Sequence, residues 1–232
     1  MLSFDTIREN YNKVVSEIKE TTDRNVEIMA VTKNQPVEAI NFAINELGIS
    51  LIGENRVQEL ISKYDEIDFP SDRKVRVHLI GSLQTNKVKY IIDKVDMIES
   101  LDSVRLAEEI NKRAAKIGKV MEVLVEVNIG REEQKGGVMP EELFDFIEKV
   151  SEFSNIKVRG LMTIAPKISE NSKIFEFFQE TYKYFIDISR KNIHNIDMDI
   201  LSMGMSSSYI PAINAGSTRV RLGTTLFGER KY

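Results

Sequence analysis

The sequence has no cysteine and no tryptophan, and only two histidines and five prolines. Without cysteine there is neither disulfide nor thiolate metal ligand, which excludes the framework a small secreted domain would use. The two histidines, His78 and His194, form no HxH or HExxH spacing, so a zinc site is not expected. No apolar run approaches the roughly 20 residues needed to span a bilayer, so no membrane partner is expected. The amino-terminal stretch MLSFDTIRENYNKVV carries charges within its apolar segment and lacks the uninterrupted core of a signal peptide; a cytoplasmic protein is the expectation. A net charge of −4 gives no general attraction to nucleic acid. Pro- or Gly-rich linkers, low-complexity runs and composition shifts are also missing, so residues 1–232 read as one domain.

What is there is an ordinary globular composition, 42% hydrophobic and 29% charged over 232 residues, enough chain to bury a core. Short segments rich in β-branched and apolar residues alternate with longer stretches of helical period, the pattern of βα units around a parallel sheet. The strand candidates are Val26–Val31, Ser50–Ile52, Val75–Ile80, Met97–Glu99, Met121–Val127, Lys157–Leu161, Asp199–Ser202 and Thr218–Arg221. Helices are expected over Phe4–Glu20, Pro36–Glu46, Arg56–Tyr64, Thr85–Val95, Ser103–Ile117, Pro140–Phe153 and Asn171–Ser189, several opening on Pro, Ser or Thr as helix starts do. Eight repeats after an extra amino-terminal helix fit a compact (β/α)8 TIM barrel of the α/β class. An open doubly wound sheet shares the same alternation, and periodicity does not separate the two.

In a barrel, chemistry gathers where strands end. Lys33 follows the strand EIMAV, where partial desolvation of its stem would favour a free amine able to form a Schiff base. The bland reading is a solvated surface lysine. Two Gly- and Ser/Thr-rich turns, Met203–Ser208 and Leu222–Thr225, follow the last two strands, where barrels hold phosphate on backbone amides. Ser206 could add a hydroxyl and Gly223 could permit close approach of the backbone. The same turns read equally well as an N-cap and a plain turn.

Seven fragments carry a more specific signal: AVTKNQP, IGENRVQEL, HLIGSLQTNK, VEVNIG with KGGV, RGLMTIAP, LSMGMS, and GSTRVRLGTTLFGER. In this order, along nearly the whole chain, they resemble the YggS/PROSC family of pyridoxal phosphate homeostasis proteins, which look like the amino-terminal barrel of alanine racemase. The resemblance implies a fold type III barrel that binds pyridoxal 5'-phosphate (PLP) as an imine on Lys33. It also implies phosphate contacts from Ser206, Gly223 and Thr224, Arg221 facing the pyridine nitrogen, and Asn55 as a wall or ring contact. Ser208 stands where relatives usually carry an acid and Gln35 where many carry a base, which suggests a different charge at the pocket rim. A guanidinium beside the ring nitrogen disfavours its protonation and weakens the ring as an electron sink. The second domain that supplies a racemase with its other base is not expected in a sequence ending at Tyr232. The function implied is therefore buffering or delivery of PLP, with PLP-dependent apo-enzymes as partners; the alternative is a low-activity amino-acid racemase.

Other residues invite weaker readings. His78 ends a strand and could enter the pocket, or be a hydrogen-bonded structural histidine. Lys87, Lys89 and Lys94 could form an RNA-binding edge but read better as a solvated helix face, with no aromatic platform beside them. The loop GREEQKGG, with Glu132, Glu133 and Lys135, could be a mobile lid, although an exposed surface loop fits slightly better. The aromatic residues of IFEFFQETYKYFIDI recur at helical spacing, as core packing does. For Glu54 the sequence offers no acid–base role.

Overall fold

The computed structural model describes residues 3–166 and 171–228; Glu229 and Arg230 of the GSTRVRLGTTLFGER fragment fall outside them. Eight parallel strands, β1 (Glu27–Val31), β2 (Leu51–Glu54), β3 (Arg76–Leu79), β4 (Met97–Leu101), β5 (Met121–Val127), β6 (Ile156–Thr163), β7 (Ile196–Met205) and β8 (Arg219–Leu222), close into a barrel in chain order. Each anticipated strand is present, and closure of β8 onto β1, with Glu27 opposite Arg219 and Ala30 opposite Leu222, decides against an open sheet.

The helices are α1 (Phe4–Thr21), α2 (Val37–Asn45), α3 (Val57–Tyr64), α4 (Val104–Lys116), α5 (Leu143–Ser151), α6 (Asn171–Ser189), α7 (Tyr209–Asn214) and α8 (Thr224–Phe227). One expectation is corrected. The segment Thr85–Val95 is not an α-helix: a 3₁₀ stretch covers Thr85–Tyr90 and turns follow. Val88, Ile91, Ile92 and Val95 are all buried, so the apolar spacing that suggests a helix is real. The chain must nevertheless enter β4 at Met97, and Asp96 is already tied to β3, its backbone N–H donating to Val77 O at 2.8 Å and its carboxylate accepting from Val77 N at 2.9 Å. Likewise the expected helix over Pro140–Phe153 begins with a 3₁₀ turn, Pro140–Glu142, before α5.

The main apolar core lies between the strands and the outer helices, and includes Ile7, Val14 and Ile18 of α1. That helix also braces the carboxyl-terminal turns from outside: the Asn10 side chain donates to Leu226 O at 3.2 Å, and Tyr209 Oη donates to Glu17. Because side chains alternate across a strand, two smaller clusters fill the lumen, Met29–Leu51–Ile80 and Met97–Leu124–Met162. Val220 and Leu222 belong to the outer core, so Arg219 and Arg221 point inward. The lumen therefore also carries a charged column, for which the sequence holds only a faint signal. Among the described residues no helix is long and apolar enough to cross a membrane.

Candidate functional site

A cavity of about 320 Å³ opens at the carboxyl ends of the strands, a size suited to a small ligand. Its polar wall is Lys33, Asn55, Ser206, Ser207, Arg221 and Thr224, joined by Gly223; its apolar wall is Val31, Ile80, Ile164 and Met205. The six residues expected to bind the cofactor, Lys33, Asn55, Ser206, Arg221, Gly223 and Thr224, thus meet around one space. Other concavities lie elsewhere, one of them beside Arg105 and Glu109, and none of these gathers the strand ends.

Lys33 is half-buried, and its amine has no hydrogen bond or ion pair among the described residues. The loop that carries it is pinned instead. Thr32 donates its hydroxyl to Glu54 at 2.9 Å, Asn34 takes a left-handed φ of 58° and donates its N–H to Glu59 at 2.5 Å, and Lys63 donates to Thr32 O at 3.1 Å. Asparagine tolerates that backbone region better than most residues. Glu54 is the anchor missed from sequence. It is buried, accepts from Asn55 N at 2.7 Å and sits 3.7 Å from the Lys63 ammonium. Burial, helped by nearby Glu59, pushes its carboxyl above the usual range, opposed by Asn55 N–H and Lys63. Gly81 lets the chain leaving β3 pass this point: a Cβ there would come within 2.2 Å of Asn55 O.

On the opposite side, the turns after β7 and β8 are tied together. Thr225 N donates to Ser206 Oγ and Thr225 Oγ1 donates to Ser206 O, both at 3.1 Å. The backbone N–H groups of Ser206, Ser207 and Thr224 have no hydrogen-bond partner among the described residues, which leaves donors for an anion. Gly204, at φ 94°, brings the turn against α7, where a Cβ would lie 2.7 Å from that of Ala212. Gly223 has an ordinary φ of −109°, and a Cβ there would sit 3.6 Å from Val31, so left-handed geometry is not what it supplies. The two positions expected to change the charge at the rim do not lie on it. Ser208 and Gln35 are both buried; Ser208 Oγ accepts from Met205 N at 3.2 Å and Gln35 N donates to Thr32 O at 3.0 Å. Both close turns and neither lines the cavity.

Arg221 forms part of the cavity floor while 4% exposed. Its Nη1 donates to Ser202 O and Ser202 Oγ, each at 2.8 Å, and Nη2 donates to Thr163 O at 2.9 Å. Its Nε has no partner among the described residues. His78 does not enter the cavity: it is 1% exposed in the lumen, with Nδ1 at 2.8 Å from Glu99, the structural alternative. Near Arg221, burial and the Asp102 charge raise the Glu126 carboxyl to about 7, against the pull of Arg221. A carboxyl raised on folding stabilises the protein below its unfolded value near 4.5, and that contribution is lost as pH climbs through 7. Glu126→Gln should therefore be more stable than wild type at pH 8 by up to about 3 kcal/mol, with the difference vanishing near pH 4. Urea unfolding across pH 4–8 measures this; equal stability at both ends would refute it.

The remaining candidates lie elsewhere. Lys89 and Lys87 stack over Tyr90, a half-exposed aromatic in the stretch where none was expected, at 4.8 and 5.9 Å from the ring centroid. Lys94 pairs with Asp93 at 3.1 Å. The loop GREEQKGG is a latched surface loop. Asn128 donates to Glu132 O at 2.9 Å and accepts from Glu132 N at 3.1 Å, while Arg131 bridges Glu141 and Glu180 at 2.6 and 2.9 Å. Phe178 and Phe185 of α6 are buried in the core.

Residues 2–231 match the family described as alanine racemase, N-terminal domain. The chain belongs to that family. Within it, the chain is 42% identical over 230 residues to a protein of Aquifex aeolicus named pyridoxal phosphate homeostasis protein, covering 97% of this chain and 98% of that one. A protein of the same name from Escherichia coli is 34% identical over 207 residues, covering 89% and 87%. Among solved structures, PipY of Synechococcus elongatus with PLP bound superposes with a TM-score of 0.82 at 30% identity, covering 94% of this chain and all of that one. An alanine racemase of Clostridium difficile, at 19% identity and a TM-score of 0.75, shares the barrel over 98% of this chain and 58% of its own.

Proposed function

We propose that this chain binds pyridoxal 5'-phosphate at the barrel mouth, held as an imine on Lys33, and serves PLP homeostasis by buffering the cofactor or delivering it to apo-enzymes. The observation that carries the reading is the juxtaposition, around one cavity, of an unpaired lysine amine, a buried guanidinium and free turn N–H groups. These donors fit the group: the turn amides and the Ser206 and Thr224 hydroxyls suit a phosphate dianion, and Lys33 suits an aldehyde. Lys33 would hold the cofactor reversibly through its aldehyde carbon, with one water released, while the turn donors would hold its phosphate. When bound, PLP supplies an electron sink through its ring.

Arg221 would face the ring nitrogen with a permanent positive charge and so hold that nitrogen unprotonated. Asn55 would form part of the ring wall. Among the described residues Lys33 and Arg221 are the only ionisable ones lining the cavity, and they do not make up the pair of opposed bases that racemisation requires. The names of the relatives point the same way.

The test has two measurements on one preparation. Loaded protein should activate an apo-enzyme that needs PLP, and should exchange the α-proton of common amino acids only at a background rate. Rapid exchange that disappears in Lys33→Ala would sink the carrier reading in favour of a racemase. Arg221→Gln, which removes the charge but keeps an amide donor, should alter the absorption bands of bound PLP while phosphate retention survives. Loss of retention with an unchanged spectrum would make Arg221 an anion clamp instead.

A further inference from the structure

The lumen beneath the cavity holds a column of ionised side chains that the proposed function does not use. Glu99, on β4, is fully buried. Its Oε1 accepts from Arg219 Nη1 at 2.6 Å and from His78 Nδ1 at 2.8 Å, and its Oε2 accepts from Ser202 Oγ at 2.7 Å. Arg219 continues the column downward, its Nε donating to Glu27 at 2.8 Å, and Glu27 also pairs with Arg76. The 3.4 Å approach of Arg219 Nη1 to His78 Nδ1 reflects two donors converging on one oxygen, since Nδ1 carries the proton given to Glu99.

We propose that Glu99 is a positioning residue for Arg221, fixing through the Ser202 hydroxyl both the orientation and the electrostatic setting of the guanidinium that faces the cofactor ring. The inference rests on the cofactor reading above and deepens it. A hydroxyl has one proton. Ser202 donates that proton to Glu99, so only its lone pairs are left to face Arg221, which donates to them at 2.8 Å. The direction of the chain Arg221 to Ser202 to Glu99 is thereby set by the carboxylate. Ser202 and Glu99 are 0% exposed and Arg221 is 4% exposed, so no bulk water screens the negative charge from the guanidinium. The alternative, a purely structural column, has a weak rationale: neighbouring lumen positions are filled by Met97, Leu124 and Met162, and apolar side chains there would serve packing at least as well as buried ions.

Two substitutions separate positioning from folding. In Glu99→Gln the amide presents one acceptor and one donor, so either Ser202 or Arg219 meets an N–H where an oxygen stood. Ser202→Ala removes the bridge and leaves the contacts of Glu99 with Arg219 and His78 in place. Both variants, loaded with PLP, should still yield a borohydride-fixed adduct on Lys33. Glu99→Gln leaves Arg221 less compensated, so the added positive field should lower the midpoint pH of the imine absorbance by about one unit or more. Ser202→Ala should shift the bands and the midpoint as well. Ile188→Ala, a truncation in the outer core, serves as a control that destabilises the barrel and should leave the spectrum unmoved. An unmoved spectrum and midpoint in Ser202→Ala and in folded Glu99→Gln overturn the inference alone. If Glu99→Gln does not fold, Ser202→Ala decides by itself. If the wild-type protein forms no adduct on Lys33, the cofactor reading falls and takes the inference with it.

Discussion

Lys33→Ala should abolish the imine band of PLP-loaded protein completely, and borohydride followed by peptide mapping should find no cofactor fixed to any residue. The expected effect is total because, among the described residues, the covalent link has no substitute nearby. Lys63, a lysine close to this loop, already commits its ammonium to Thr32 O, Glu54 and Glu59. Stability should barely change, since the Lys33 amine makes no contact whose loss would be felt among the described residues. Weak, reversible PLP binding should persist through the turn N–H groups of Ser206, Ser207 and Thr224. An adduct mapped to a different lysine in the native protein would overturn the assignment.

Arg219→Ala should have the largest effect on stability, a loss of about 3–5 kcal/mol in urea unfolding at neutral pH, the usual consequence of removing one member of a buried ion pair. Arg219 is 1% exposed and links Glu99 at 2.6 Å to Glu27 at 2.7 Å, so its removal strands a fully buried carboxylate. The arginine, with the His78 hydrogen bond, holds the Glu99 carboxyl at about 2 despite the opposing effect of burial. A carboxyl depressed on folding contributes stability that is complete above its unfolded value near 4.5 and is lost as pH falls toward 2. Wild-type protein should therefore lose about 3 kcal/mol from this group between pH 4.5 and 2. That acid sensitivity should be blunted in Arg219→Ala, where less of the stabilisation is present to lose. A variant as stable as wild type at pH 7 would contradict the placement of the pair.

The strands were readable because each carries its own signal in a few adjacent residues. Met121–Val127 was bounded correctly from β-branched and apolar content alone, and Asn171–Ser189 from helical spacing. The segment around Val88 was misread because the same apolar spacing is compatible with 3₁₀ turns when the next strand begins too soon for a helix. Lys33 and the two Gly- and Ser/Thr-rich turns could be located from their positions after strands, and the family fragments added Arg221 and Asn55. The anchoring role of Glu54 is not legible in the sequence because its partners Thr32 and Lys63 come from the loop after β1 and from α3. A faint signal for the lumen column did exist, in the charges at alternate positions of RVHL and RVRL.

By itself, then, the sequence determined the alternation of strand and helix, the strand-end positions of Lys33, Ser206 and Gly223, and membership of a family whose motifs run the length of the chain. These are properties of local composition and order. Only the tertiary structure decided that β8 returns to β1, that Lys33 is left without a partner among the described residues while Lys63 is not, and that Arg221 rests on Glu99 through Ser202. The first and last of these depend on closing the barrel, which brings residues about a hundred or more positions apart, such as Glu99 and Ser202 or Glu27 and Arg219, into hydrogen-bonding distance in a space that excludes water, whereas the pairing of Lys63 is made within the first two βα units.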